Sequence, residues 1–335
     1  MHLIERALRD GHRTVRDRAD AFAEEVVAPR AAESGAVAET IQGHTFAALP
    51  IARFGTDRQR ERYLPRMANG SAVGAMLLTE PDAGSAPTQL STVAAATDDG
   101  YRLTGRKAFG TNAGVAGVHL VVARKRPEPD DSHGVSVLLV PGVDDAAGFE
   151  FERAEYMGMR GHVTGDTTLD DVEVPAENLL GEVGGGFRIA MGTIDMARTG
   201  LGAIGAGIAR AAFDEATAYA GAREQGGDPV GEYQAVQVLL ADMYRRLAGA
   251  RHLVYSSASA IAADEGDTRA SSVAKLAGSE AAEFVTRNAI QIHGGTGYRK
   301  GEPVERYYRD AKILSIIGGT SEIQRTTIAT ETLDL

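Results

Sequence analysis

Apolar positions recur at steps of three, four or seven over residues 1–33, where Leu3, Ile4, Leu8, Val15, Ala19, Phe22, Val26 and Val27 fall on one face. That spacing predicts an amphipathic helix ended by Pro29. AESGAVAETIQGHT then reads as a short linker, and FGTDRQRERYLPRM as a second helix with Tyr63 and Leu64 on one side. Near residue 72 the period becomes two, or the runs become short and apolar: AVGAMLL, LSTVAAAT, YRLTGRKAF, GVHLVVAR, VSVLLVP and TTLDDVEV. Turn formers such as Asp98-Asp99-Gly100 and Pro141-Gly142 separate them, so a β-rich middle is expected. At Gly184-Gly185-Gly186 the helical period returns. It predicts one long helix from Phe187 past Tyr219, a second carrying Tyr233 to Val254, a third over roughly 270–292, and a fourth in EPVERYYRDAKILSI. A last short helix opens with Ser321 and Gln324 at capping-box spacing. Helices, then strands, then an Ala- and Gly-rich antiparallel bundle argue for an α+β protein rather than a doubly wound sheet.

Composition removes whole classes of chemistry. The 335 residues include no cysteine, which excludes disulfides, Cys–zinc sites, thiol nucleophiles and Cys-ligated clusters. A net charge of −11 argues against nucleic acid or an anionic membrane as partner. No apolar run approaches the ~18 residues of a membrane span. The first twenty residues are charged throughout and show no apolar leader, so a cytoplasmic protein is expected. The eight histidines do not cluster and no H-E-x-x-H occurs, so no metal site is expected. No G-x-S-x-G hydrolase elbow occurs. Gly200-Leu-Gly202-Ala-Ile-Gly205 matches a dinucleotide fingerprint with Glu224 beyond it. The fingerprint needs a strand before it, and here it lies inside a helical pattern. Small residues there are expected to let two helices approach.

Seven dispersed segments form a set: LLTEPDAGS (77–85), GRKAFGTN (105–112), MGMR (157–160), REQGGDPVGEYQAVQ (223–237), AIQIHGGTGY (289–298), ERYYRDAK (305–312) and GGTSEIQR (318–325). In this order and spacing the chain resembles the acyl-CoA dehydrogenase family from about residue 44 to the C-terminus. The resemblance implies an α+β multidomain fold: a short helical N-terminal domain (1–70), a β-barrel-like middle domain (71–183) and a C-terminal four-helix bundle (184–335). It implies FAD between the last two, completed by a neighbouring subunit of a homodimer or homotetramer. It also implies an acyl-CoA or acyl-carrier-protein thioester as substrate, and an electron-transfer flavoprotein or oxygen as electron acceptor.

Residue by residue, the resemblance assigns Met76, Leu78 and Thr79 to one flavin-contacting segment. Phe109, Gly110 and Thr111 form the other, with Phe109 where the family usually has Trp. Arg223 matches a pyrophosphate-binding arginine, and Gly226 stands where an aromatic residue is usual. Tyr233 and Gln234 match a further cofactor segment. Gln291, Gly294 and Gly295 match a glycine-rich stretch reaching a partner's cofactor. Thr320 and Glu322 match groups near the adenosine half. Ser85 would face the pantetheine arm of the substrate, and Asp195 and Arg198 would serve the substrate or simply pair with each other at three-residue spacing.

The departures concern the chemistry. The family base, a glutamate, usually stands where this chain has Gly318, before Gly319 and Thr320. A minority place it where this chain has Ala197. Gly318 keeps a backbone N–H for the thioester oxygen, so the oxyanion donor survives while both base positions are empty of carboxylate. Three readings stay open: a base from elsewhere, with His162 and Glu80 as candidates; chemistry without α-proton removal, such as decarboxylation, β-elimination or monooxygenation; or a non-catalytic subunit of a hetero-oligomer. The linker is also several dozen residues shorter than is usual in the family, which predicts an open acyl pocket, and Ala86 replaces a common Asp.

Overall fold

The computed structural model describes residues 35–125, 134–263 and 265–334, with side chains from residue 40. The first predicted helix and Pro29 lie outside these residues. Contacts divide the chain into two compact units, one of Ala36–Tyr156 and Arg160–Ala197, the other including Met157–Met159 and Arg198–Leu335.

The predicted linker is a helix, α1 (Gly35–Phe54). Its apolar register decides this: Ala47 and Ile51, one turn apart, are completely buried in the first unit's core. Helix α2 (Asp57–Ala68) follows, its start fixed by a reciprocal box between Thr56 and Gln59.

Eight strands then form one mixed sheet: β1 (Gly74–Leu77), β2 (Val93–Ala96), β3 (Gly100–Thr111), β4 (Val118–Arg124), β5 (Val135–Pro141), β6 (Phe149–Arg153), β7 (Thr164–Pro175) and β8 (Leu179–Leu180). The order is β6-β7-β3-β2-β4-β5-β8, with β1 parallel to β4. Strand β4 is buried along its whole length, and its alternate residues enter two different cores. Val118, Leu120 and Val122 join α1 and α2, whereas Val121 and Ala123 join Leu103, Leu169 and Val172 inside the curled sheet. The period-two pattern missed β6, whose FEFER is short and mostly charged.

Helix α3 (Gly186–Ala222) leads to a small hairpin, β9 (Glu224–Gln225) and β10 (Asp228–Pro229), then to α4 (Gln234–Ala262), α5 (Thr268–His293), α6 (Pro303–Lys312) and α7 (Ser321–Leu333). The second unit's core is built largely from Ala209, Ala212, Ala216, Ala281, Val285 and Ala289. The G-x-G-x-x-G segment lies inside α3, as its helical context predicted. A Cβ at Gly202 would meet the Ala274 carbonyl of α5 at 2.6 Å, and one at Gly205 the Gly278 carbonyl at 2.5 Å. The glycines let two backbones touch. The predicted cap of α7 is corrected: Thr320, not Ser321, is the cap, its hydroxyl accepting the Ile323 N–H, and Gln324 is used elsewhere.

Candidate active site

In the sheet unit the two predicted flavin segments adjoin. The Ala108 N–H donates to the Thr79 carbonyl at 2.9 Å, and the Lys107 ammonium donates to the Leu78 carbonyl at 3.1 Å. Between Lys107 and Gly110 the β3–β7 register slips, and Phe109 takes a φ of +57°. This bulge turns the ring out, leaving it 60% exposed, while its N–H donates to the Asp166 carboxylate at 3.2 Å. Thr111 and the neighbouring Asn112 are backed by α1. The Asn112 amide donates to the Thr40 and Gly74 carbonyls, and a Cβ at Gly43 would strike Thr111. Thus the supposed linker supports the hydroxyl expected beside the flavin. Ser85 is exposed in the loop after β1, and Asp195 is half-buried on α3.

Glu80 is not a base. Its carboxylate accepts from Lys107 Nζ (2.7 Å), the Ser91 N–H (2.5 Å) and hydroxyl (2.6 Å), and the Thr92 N–H (3.0 Å). Burial alone pushes its pKa up, but the Lys107 charge and these hydrogen bonds prevail and hold it at about 2. A carboxylate so satisfied has no affinity left for a substrate proton. His162, the other candidate, is half-buried in the loop before β7.

In the bundle unit the GGTSEIQR segment forms a turn with φ of +64° at Gly318 and +89° at Gly319. Four hydrogen bonds hold its carbonyls. Arg198 Nε donates to Gly318 O at 3.3 Å, Lys275 Nζ to Gly319 O at 2.7 Å, and the Gln324 amide to both at 2.9 and 3.1 Å. Arg198 also donates to the Ser272 hydroxyl. Its expected roles, substrate contact or partner of Asp195, are thus joined by a third, as a clamp on the turn. Among the described residues, the N–H groups of Gly318 and Gly319 meet no acceptor. Two adjacent free N–H groups at a left-handed turn form an anion-receptive concavity. A Cβ at 318 would run into the Leu201 side chain. Thr320 is occupied as a helix cap and Glu322 is exposed beside it.

Arg223 is exposed at the end of α3 and makes no ion pair among the described residues. Gly226 and Gly227 form the hairpin turn at φ of +67° and +103°, and the Tyr233 hydroxyl folds back to the Gln225 carbonyl at 2.5 Å. A Cβ at 226 would approach that hydroxyl to 2.9 Å, which accounts for glycine where the family has an aromatic residue. Gln234 opens α4, and Gln291 lies exposed near the end of α5. Gly294 and Gly295 follow with open space where side chains would be. The His293 and Tyr219 rings stack at 4.2 Å, so this glycine end and the Arg223 end share one end of the bundle. The remaining motifs are structural. The Asp310 carboxylate of RDAK accepts the Met159 N–H at 2.6 Å, and Arg309 donates to the Met157 carbonyl, pinning MGM to α6.

Sequence reasoning passed over Lys275, Gln324 and Asp166. Lys275 did carry a signal. It lies on a stripe of α5 with Ser272, Ser279, Ala282 and Thr286, all fully buried, where a lysine is out of place.

The sheet unit thus presents an outward aromatic ring, and the bundle unit an exposed arginine and bare glycine backbone. The chain belongs to the acyl-CoA dehydrogenase family. The family's N-terminal domain matches residues 32–71, its middle domain 75–172 and its C-terminal domain 184–333. The chain is 42% identical to an acryloyl-CoA reductase (NADH) of Anaerotignum propionicum, over 89% of this chain and 76% of that one. It is similar to the butyryl-CoA dehydrogenase structure of Megasphaera elsdenii, with TM-score 0.87, 38% identity, and 90% and 79% of the two chains covered. A prolyl acyl carrier protein oxidase is similar at TM-score 0.85 and 31% identity, over 90% and 79%. The protein is accordingly an FAD-dependent oxidoreductase. The residues expected to meet that cofactor are open in each unit: the Phe109 ring is uncovered, Arg223 is exposed without an ion pair among the described residues, and Gly294–Gly295 leave an unobstructed backbone. Among the described residues no helix is long and apolar enough to cross a membrane.

Proposed function

We propose that the enzyme exchanges hydrogen at the α- and β-carbons of an acyl thioester, carried on CoA or a carrier protein, with Gly318 as receptor for the thioester oxygen. The observation that supports this most is the clamped Gly318–Gly319 turn with its free N–H groups. Bound FAD supplies the hydride acceptor or donor. The chain's own part is to orient the carbonyl and stabilise negative charge on its oxygen. Met76, Leu78, Thr79, Phe109, Gly110 and Thr111 face the flavin in this reading, and Ser85 and Asp195 the substrate. The three-part division at residues 70 and 183 belongs to the same proposal.

Arg223, Tyr233 and Gln234 lie with Gln291 at one end of α5, while Thr320 and Glu322 lie with Lys275 at the other. From Lys275 to Gln291 is roughly 24 Å at 1.5 Å per residue. That separation supports two cofactor molecules shared between copies of the chain, and hence a homodimer or homotetramer. An electron-transfer flavoprotein or oxygen would take the electrons.

The lack of a carboxylate at 318 and 197, with Glu80 tied to Lys107, favours a second reading on the same site: reduction of an α,β-unsaturated thioester. In that direction the β-carbon receives a hydride and the α-carbon a proton that solvent supplies, so no resident base is needed. Anaerobic titration separates the two. Bleaching of the oxidised protein by a saturated acyl-CoA supports desaturation, with His162→Ala testing the remaining base. Reoxidation of the reduced protein by an enoyl-CoA, without bleaching by the saturated one, supports reduction. If neither thioester changes the flavin absorbance, both readings fail. Gly318→Glu restores the usual base at the cost of displacing Leu201. Bleaching that appears only in that variant would show that the native chain is no conventional dehydrogenase.

A further inference from the structure

Lys275 lies completely buried in mid-helix, with its ammonium 2.7 Å from the Gly319 carbonyl. No carboxylate bonds it among the described residues. The charged groups that face it are Arg198 from α3, Glu322 from α7 and Glu283 from its own helix. A buried lysine pointed at a backbone carbonyl, beside a second cation, is a costly arrangement for a purely structural contact. Its effect on the turn is directional. Donors on the carbonyls of Gly318 and Gly319, from Lys275, Arg198 and Gln324, fix the rotation of both peptides. Donors on the Gly318 carbonyl, from Arg198 and Gln324, strengthen the Gly319 N–H of the same peptide, whereas Lys275 on the Gly319 carbonyl fixes the peptide that follows and so anchors the far side of the turn.

We propose that Lys275 is a positioning residue for the reaction: its ammonium holds the Gly318–Gly319 turn so that the free N–H groups receive the thioester oxygen. This rests on the reading of that turn as the carbonyl receptor. Lys275 touches neither substrate nor cofactor, and it acts by fixing the backbone of the turn and hence where those donors point. Burial, and behind it the Arg198 charge, lower the Lys275 pKa to about 8 against the pull of Glu322 and Glu283. The clamp is therefore mostly cationic well below that pH and loses its charge through it. Carbonyl recognition should weaken through the same range.

The test compares two CoA ligands on the FAD-loaded protein: a 2,2-dimethylacyl-CoA thioester, which has no α-hydrogen and cannot react, and the matching CoA thioether, which has no carbonyl. The ratio of their dissociation constants isolates the carbonyl contact. In the native protein the ratio favours the thioester and falls as pH rises from 7 to 9. Lys275→Met lowers the ratio about tenfold at pH 7 and makes it independent of pH, with flavin content unchanged. Lys275→Arg keeps a cation that does not titrate, so it retains the preference and flattens the pH profile. That variant decides the matter if Lys275→Met fails to fold. A ratio unaltered in either variant at every pH would overturn the role of Lys275 alone. No preference for the thioester in the native protein would instead overturn the reading of Gly318 as receptor.

Discussion

Two lysines in this chain share burial and a pKa lowered to about 8, yet they answer to different partners. Lys107, on β3, meets the Glu80 carboxylate at 2.7 Å, and both side chains are shut off from solvent. Burial lowers its pKa, while the charge and hydrogen bond of Glu80 push back. Lys275, under the Gly318–Gly319 turn, meets a neutral carbonyl and has Arg198 as its neighbour. The first is half of a compensated pair whose carboxylate would be stranded without it. The second leaves only a carbonyl behind, which Gln324 still serves. The same residue type in the same kind of burial thus does two jobs, one anchoring the fold and one tensioning a site.

The largest expected effect breaks the first half of that comparison. Lys107→Met leaves a buried carboxylate without its counter-charge, a loss of about 3–5 kcal/mol. Urea unfolding measures it directly. The freed Leu78 carbonyl also loosens the segment proposed to meet the flavin, so retained FAD should fall in step. A loss under ~1 kcal/mol would show that Ser91 and Thr92 alone satisfy Glu80.

Next in size is the turn itself. Gly318→Ala places a Cβ at φ of +64° and against Leu201, which costs about 1–3 kcal/mol. Lys275→Met should cost less, within about 1 kcal/mol of native at pH 7. The lost hydrogen bond is offset by removal of a buried cation beside Arg198. A fourfold gap between the two lysine variants is the outcome that supports the contrast, and equal losses would erase it.

The sequence revealed these regions unequally, for physical reasons. The long helices and strands were legible because their apolar periods are sustained: β4 and β5 are nearly continuous apolar runs, and α3 keeps one register past Tyr219. The residues at 318 and 197 were legible as departures from a family pattern. What escaped was tertiary. AESGAVAETIQGHT has too few large apolar residues to announce a helix, and its register is settled only by Ala47 and Ile51 beyond it. Glu80 looked available because sequence cannot show that Lys107, Ser91 and Thr92 converge on it. Gln324 looked like a cap because its spacing from Ser321 fits one, yet the turn before the helix claims its amide.

The smallest expected effect sharpens the comparison most. Both lysines have native pKa values near 8 and an ordinary value of 10.5. The folded protein therefore sheds each proton before the unfolded chain does. Below pH 8 both states are charged and the full cost of burying the cations is present. Between 8 and 10.5 the unfolded state holds more protons, so stability rises with pH, by at most about 1.4 kcal/mol per unit for each lysine. Tyr63 and Tyr156 are raised by burial above their ordinary value, and would reverse the slope at higher pH. Unfolding free energies are thus best compared between pH 8 and about 9.5, below the ordinary tyrosine range. Each Lys→Met variant should remove one proton's worth of slope, and the double variant both. If Lys107→Met loses its share while Lys275→Met keeps the native slope, then Lys275 stays charged across the range, and the loss of carbonyl preference expected above pH 8 has some other origin.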